Sequence, residues 1–376
     1  MPTRRLLLIL SLMLMPSLSS CGDKQAGAAP LPLSEEALAA VAEKPGAPRE
    51  RLARAIDALF TDGEAGETRA LLVLRGGKIV AERYGQGFGR RTRLPGWSMS
   101  KTVTGVMIGL LVSDGRLRLN ETAPVPAWQR SGDPRGEITL KQMLQMRSGL
   151  RHSESLDPVY TSQTVRMLFL DGRDNMAAFA EAQPLEAEPG SKFEYSSATT
   201  IILSDLAARA LTSRNDPNAR REAVSEYLRT RLFEPIGMNS MVPEFDSAGT
   251  LIGSSLIHGT ARDWAKFGEF LRHGGSVKGA QVIPRRWIEF MTSPSPRNAG
   301  YGAQLWLNHA DAEGESELFP GEAPESLFAC IGHLGQYVIV SPPQKLTVVR
   351  LGHTDEEERA ALHDRMAEII ALFASS

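Results

Sequence analysis

The sequence predicts a mixed α/β (α+β) fold. One antiparallel sheet is built from both chain ends and flanked by helices, with a mostly helical region inserted between about residues 120 and 320. Three observations predict this. A β-hairpin pattern lies near residue 75, and a second pair of β-rich runs lies near the C-terminus. The stretch between them has helical spacing punctuated by Gly and Pro.

The folded part is expected to start near Arg51 with a helix. Ala70-Leu71-Leu72-Val73-Leu74 and Ile79-Val80-Ala81-Glu82-Arg83-Tyr84 are β-prone runs on either side of Gly76-Gly77, the composition of a tight hairpin turn. Ser98 opens a helix that carries Val103, Val106, Met107, Leu110 and Leu111 at helical spacing and stops at Asp114-Gly115. Further helical pieces are expected over 140–146, 199–211, 223–233 and 261–273, separated by Pro189-Gly190, Pro235-Ile236-Gly237 and Gly274-Gly275. Residues 337–340 and 346–351 are strands on either side of Ser341-Pro342-Pro343, and a last helix runs from about 356 to 373.

With 376 residues, 42% hydrophobic and 23% charged, the chain has an ordinary globular make-up and can bury one large core or two smaller ones. A net charge of -2 gives no reason to expect a nucleic-acid partner. The body has no apolar segment long enough to span a bilayer. Its histidines lack metal-ligand spacing, so no metal and no other cofactor is expected.

The N-terminus differs. Arg4-Arg5 precede an apolar run over 6–15, and Leu18-Ser19-Ser20-Cys21 follows, which describes a secretory leader over 1–20. The run is shorter than the roughly 20 residues a membrane span needs. The Leu-Ser-Ser-Cys ending resembles a bacterial lipobox. That resemblance implies lipid on Cys21, a membrane partner through that lipid, and a place in the bacterial cell envelope facing the periplasm. Residues 21–50 are rich in Ala, Pro, Gly and charge and are expected to be a flexible tether ahead of a domain over 51–376. Only two cysteines are present. With Cys21 lipidated, Cys330 has no disulfide partner, and its place in Leu327-Phe328-Ala329-Cys330-Ile331 marks a buried small hydrophobe rather than a catalytic thiol.

The chemistry is concentrated in Ser98-Met99-Ser100-Lys101. At i and i+3 on a helix the hydroxyl and the amine share a face. An amine one turn from a serine can take its proton and make the oxygen a nucleophile. The motif alone is weak, because about one chance match is expected in a chain of this kind. Its bland alternative is a helix-capping serine beside a solvated lysine. Two further segments join it: Pro189-Gly190-Ser191-Lys192-Phe193-Glu194-Tyr195-Ser196-Ser197, and Gly332-His333-Leu334-Gly335-Gln336 just before a terminal strand.

Together these segments resemble the serine β-lactamase and penicillin-binding-protein superfamily. Its members carry S-x-x-K, then a second motif (Tyr-x-Asn in the class C branch), then Lys-Thr-Gly or His-x-Gly on a sheet-edge strand. Ile138-Thr139-Leu140 through Ser148-Gly149-Leu150, Phe233-Glu234-Pro235-Ile236-Gly237-Met238, Thr260-Ala261-Arg262-Asp263, and Tyr301-Gly302 with Trp306 match in the same order, from about residue 70 onward. Gly-His-x-Gly-Gln after Ser-Met-Ser-Lys resembles the branch that holds 6-aminohexanoate-dimer hydrolases and related esterases.

The resemblance implies a β-lactamase/transpeptidase-like fold and a serine hydrolase of small amides or esters. Ser98 would form the acyl-enzyme. Lys101, its charge disfavoured by burial beside another cation, and Tyr195 would share the proton transfers, with the choice of base left open. Backbone N–H groups of Ser98 and Gln336 would form the oxyanion hole. His333, Gly335, Ser197 and Tyr160 would contact substrate. His333 stands where class C enzymes have lysine, and Ser197 where they have asparagine; both departures weaken the case for β-lactam turnover. Trp306 would line the pocket or sit in the core, and the acidic run 311–325 would be a solvated loop at its rim. The other activities compatible with the motifs are D-Ala-D-Ala carboxypeptidase or β-lactamase action. A degenerate, non-catalytic cell-wall-binding lipoprotein is the rival from another class.

Overall fold

The structure is a computed structural model and describes residues 33–375. The expected leader, Cys21 and the first part of the tether lie outside them. The expected tether is shorter than its composition suggests. Ser34 caps helix α1 (Glu35–Ala39), its hydroxyl accepting from the Ala37 N–H at 3.1 Å. Val41 bridges to Ala81, and Arg49 donates to the carbonyls of Leu38 and Val41. Ala37 and Val41 are buried, and this packing overrides a linker-like composition.

Helix α2 (Arg49–Thr61) leads into β1 (Glu67–Arg75) and β2 (Lys78–Tyr84). Arg75 pairs with Lys78, so the loop is Gly76-Gly77. Both glycines have positive φ, +57° and +78°, as a two-residue hairpin that matches the strand twist requires. Helix α3 (Met99–Ser113) follows, and much later come α4 (Ser197–Leu211) and α5 (Ala261–Arg272). The C-terminal part supplies β3 (Trp306–Leu307), β4 (Phe328–Gly332), β5 (Gln336–Ser341), β6 (Leu346–His353) and α6 (Arg359–Ala371).

The strands form one six-stranded sheet in the order β2-β1-β6-β5-β4-β3. Strand β1 pairs antiparallel with β6, Leu72 opposite Val349, so the two chain ends do build one sheet. Successive strand residues point to opposite faces. Leu71, Val73, Ile339 and Val348 belong to one buried cluster with residues of α2 and α6. Leu72, Val338, Val340 and Val349 belong to another with α3, α5 and the helical insertion. Each face burying a helical layer makes the sheet the middle of a sandwich. The segment read only as apolar around Cys330 is strand β4. It is buried on both faces, which removes the alternation that marks a half-exposed strand.

Candidate active site

Ser98 is the residue before the first turn of α3 and is half-buried. Its side chain makes no capping hydrogen bond, so the capping alternative does not describe it. Its own N–H has no partner among the described residues and is free to bind an anion. Trp97 just before it sits at φ +47°, a conformation that costs a bulky residue on the order of 1–3 kcal/mol.

Lys101 lies one turn on and is 1% exposed. Its Nζ donates to Ser98 Oγ at 3.0 Å, to Ser197 Oγ at 2.8 Å and to the Ser254 carbonyl at 3.1 Å. Burial disfavours the ammonium and brings its pKa down to about 8, against the opposing charge of Glu154. The sequence reading invoked a neighbouring cation for this shift. The structure corrects that: desolvation alone lowers the pKa, and the charged neighbour is an anion, 3.9 Å away.

Tyr195 precedes α4 and its side chain lies beside Ser98. Its ring stacks on Trp306 at 5.3 Å between centroids, with Tyr301 edge-on at 5.8 Å. Lys101 Nζ lies 4.8 Å from the ring centroid. Burial and the Glu154 charge push the phenol well above its ordinary pKa. Burial thus acts on the two candidate bases in opposite directions, lowering the lysine pKa and raising that of the tyrosine.

Sequence reasoning missed Glu154. Its Oε1 accepts from the Ser197 hydroxyl at 2.5 Å, and its Oε2 accepts from the Ser197 N–H at 3.0 Å. His152 Nε2 and Thr164 Oγ1 hold Oε2 at 2.8 and 3.0 Å. Burial raises a carboxyl pKa, but Lys101, His152 and Ser197 outweigh it and hold Glu154 at about 2. The one available signal was Ser197 in place of asparagine, which leaves a short hydroxyl needing a partner. The Ser254 carbonyl was also missed, and a backbone group leaves no residue-type signal.

The residues expected to contact substrate have differing surroundings. Ser197 is buried, and its hydrogen bonds go to Lys101 and Glu154 rather than into open space. His333-Leu334-Gly335 lies just before the terminal strand β5, as expected, and forms the turn joining β4 to it: Gln336 pairs with Gly332, and φ is positive at Leu334 and Gly335. His333 is exposed and meets Trp97 edge-on at 5.5 Å; partial burial and the Arg359 charge disfavour its protonation. The Gly335 carbonyl is held by Arg350 at 2.9 Å, and a Cβ there would strike Leu362 and Arg350. Gln336 opens the interior strand β5 opposite Gly332, and its side chain is bonded to Leu334 and Gly352. Strand β4 packs against α3. A Cβ on Gly332 would lie 2.3 Å from the Gly96 carbonyl, and Cys330 lies beside Thr102 of α3. Pairing with β3 stops at Ala329, which leaves 330–332 as a free edge there. Tyr160 is 61% exposed in a short 3₁₀ turn. Trp306 lines a cavity of about 620 Å³, whose wall includes Asp311, Glu313, Glu315 and Glu317 of the acidic run.

The sheet between its helical layers is that of a β-lactamase/transpeptidase-like fold, and Ser98, Lys101 and Tyr195 come together beside it. The β-lactamase family pattern matches residues 56–372, and the chain belongs to that family. It is similar to the 6-aminohexanoate-dimer hydrolase of Paenarthrobacter ureafaciens, 26% identical over 351 residues, covering 87% of this chain and 84% of the relative. Among solved structures, it resembles a Bacillus anthracis protein described as a candidate 6-aminohexanoate-dimer hydrolase, with TM-score 0.65 and 22% identity over 81% of this chain and 80% of the other. A family VIII carboxylesterase superposes with TM-score 0.60 at 16% identity, over 86% and 98% of the two chains. The chain is thus a β-lactamase-fold hydrolase related to 6-aminohexanoate-dimer hydrolases and carboxylesterases.

Proposed function

We propose that the protein is a serine hydrolase that cleaves small amides or esters through a Ser98 acyl-enzyme. The observation that carries this is Lys101 Nζ, buried, 3.0 Å from Ser98 Oγ and poised at about 8. Ser98 Oγ attacks the substrate carbonyl carbon while its proton passes to Lys101. The developing oxyanion is met by the free Ser98 N–H and by an amide of the β4 edge over 330–332, in place of Gln336. Collapse breaks the C–N or C–O bond, and Tyr195 hands its proton to the leaving nitrogen or oxygen and regains one from Lys101. Water then reverses the steps and frees the acid. The amide specificity of the dimer hydrolase and the ester specificity of the carboxylesterase both fit this sequence of transfers.

Lipid on Cys21 and a periplasm-facing place are part of this proposal and rest on the leader and lipobox residues. Among the described residues, no helix is long and apolar enough to cross a membrane. Hydrolysis of p-nitrophenyl butyrate by the purified protein, beside Ser98→Ala, tests the reading. Activity lost in the variant supports it; activity retained there refutes the acyl-enzyme.

A further inference from the structure

We propose that Glu154, acting through the Ser197 hydroxyl, is a positioning residue that aims the Lys101 lone pair at Ser98. This rests on the reading of Ser98 as nucleophile and Lys101 as base.

Hydrogen-bond directions carry the proposal. Glu154 Oε1 lies 2.5 Å from Ser197 Oγ, and an ionised carboxylate only accepts. The single proton of Ser197 is therefore committed to Glu154. Toward Lys101, 2.8 Å away, the Ser197 oxygen can only accept. The Ser254 carbonyl, at 3.1 Å, can only accept as well. A neutral amine has two N–H groups and one lone pair. Two obligate acceptors take both N–H groups, and the remaining position faces Ser98 Oγ at 3.0 Å. Ser98 must then donate to Lys101. After the proton moves, the ammonium finds three acceptors already in place, so the transfer needs no reorganisation.

Without the carboxylate the arrangement loses its direction. The Ser197 proton could turn to the Lys101 lone pair and block it. His152, Thr164 and the Ser197 N–H fix Glu154 Oε2 and leave Oε1 for the hydroxyl. The other titratable group packed on Lys101 is Tyr195. Tyr301 and Cys330 reach the site from the sheet side, through Tyr195 and Thr102.

The test compares Glu154→Gln, Ser197→Ala and the double variant with the unaltered protein, using p-nitrophenyl butyrate, and runs Ser98→Ala beside them. Glutamine keeps the volume but can offer N–H groups to Ser197. The expected result for Glu154→Gln is a kcat loss on the order of a hundredfold with KM little changed, as for a misaimed catalytic group. Its acid limb also moves to lower pH, because the anion that favours protonated Lys101 is gone. Ser197→Ala loses a similar factor with the limb in place, since Glu154 keeps its charge. The double variant loses no more in kcat than the worse single. An unchanged kcat in Glu154→Gln overturns the proposal. So does a loss with an unmoved limb, which marks a merely structural role, or additive losses in the double. Should Glu154→Gln not fold, unaltered kcat in Ser197→Ala overturns it. Activity surviving in Ser98→Ala would instead sink the acyl-enzyme reading itself.

Discussion

The pH dependence of the reaction is the most direct test of Lys101 as base. A lysine at its ordinary pKa of 10.5 is neutral at pH 7 in about 0.03% of molecules. With the pKa brought down to about 8 by burial, that fraction rises to about one in ten, a gain of about 300-fold in competent enzyme. The sign follows from the chemistry: a base works when deprotonated, so activity rises with pH and levels off above the pKa. At pH 6 the rate should lie about a hundredfold below the plateau, falling about tenfold per unit. The assay is kcat/KM for p-nitrophenyl butyrate from pH 5.5 to 9.5 at constant ionic strength, with spontaneous hydrolysis taken from Ser98→Ala. This quantity reports groups of the free enzyme. A flat profile between pH 6 and 9 would refute the reasoning. A midpoint near 10.5 would also refute it, because it would mean that the pocket does not desolvate the amine.

Other groups make separate predictions. Burial pushes the Cys330 thiol up to about 12, so iodoacetamide at pH 8 should leave it unlabelled in the folded protein and label it after unfolding; rapid native labelling would contradict the packing. A Cβ on Gly109 would lie 2.2 Å from Trp287 Nε1, which donates to the Gly105 carbonyl. Gly109→Ala should therefore cost about 1–3 kcal/mol, read as a lowered Tm. Burial and then Asp205 raise the Glu181 carboxyl from 4.5 to about 7. A raised acid contributes stability below its unfolded pKa and loses it as pH climbs through the folded value, here from about 4.5 to about 7, by at most about 3 kcal/mol. Glu181→Gln should raise Tm relative to the unaltered protein at pH 8.5 more than at pH 5; an equal difference at both would sink this.

The elements most legible in the sequence were those with strong local patterns. Gly76-Gly77 between β-prone runs specified the first hairpin, and the spacing of Val103, Val106, Leu110 and Leu111 specified α3. The β4 strand escaped notice because a strand buried on both faces shows no alternation. The chain from 33 to 50 read as tether because its small elements are stabilised by what they pack on rather than by their own composition. The place of His333-Leu334-Gly335 just before a terminal strand was legible, but its turn was not, because a short motif carries no φ angles and only the structure shows Leu334 and Gly335 to be left-handed.

The sequence by itself determined the residues of the proposed site, Ser98, the amine one helical turn away and the tyrosine before the later helix, because each is written in a local spacing. Only the tertiary structure decided how they work. It brought Glu154 and the Ser254 carbonyl to Lys101 from segments 53 and 153 residues away. It made burial, not a second cation, the cause of the lowered amine pKa. It also showed that pairing of β3 with β4 stops at Ala329, which leaves 330–332 as the edge to which the proposed function assigns the sheet's share of the oxyanion site. Solvent exclusion and hydrogen-bond direction depend on what surrounds a group in space, and that surrounding comes from distant parts of the chain.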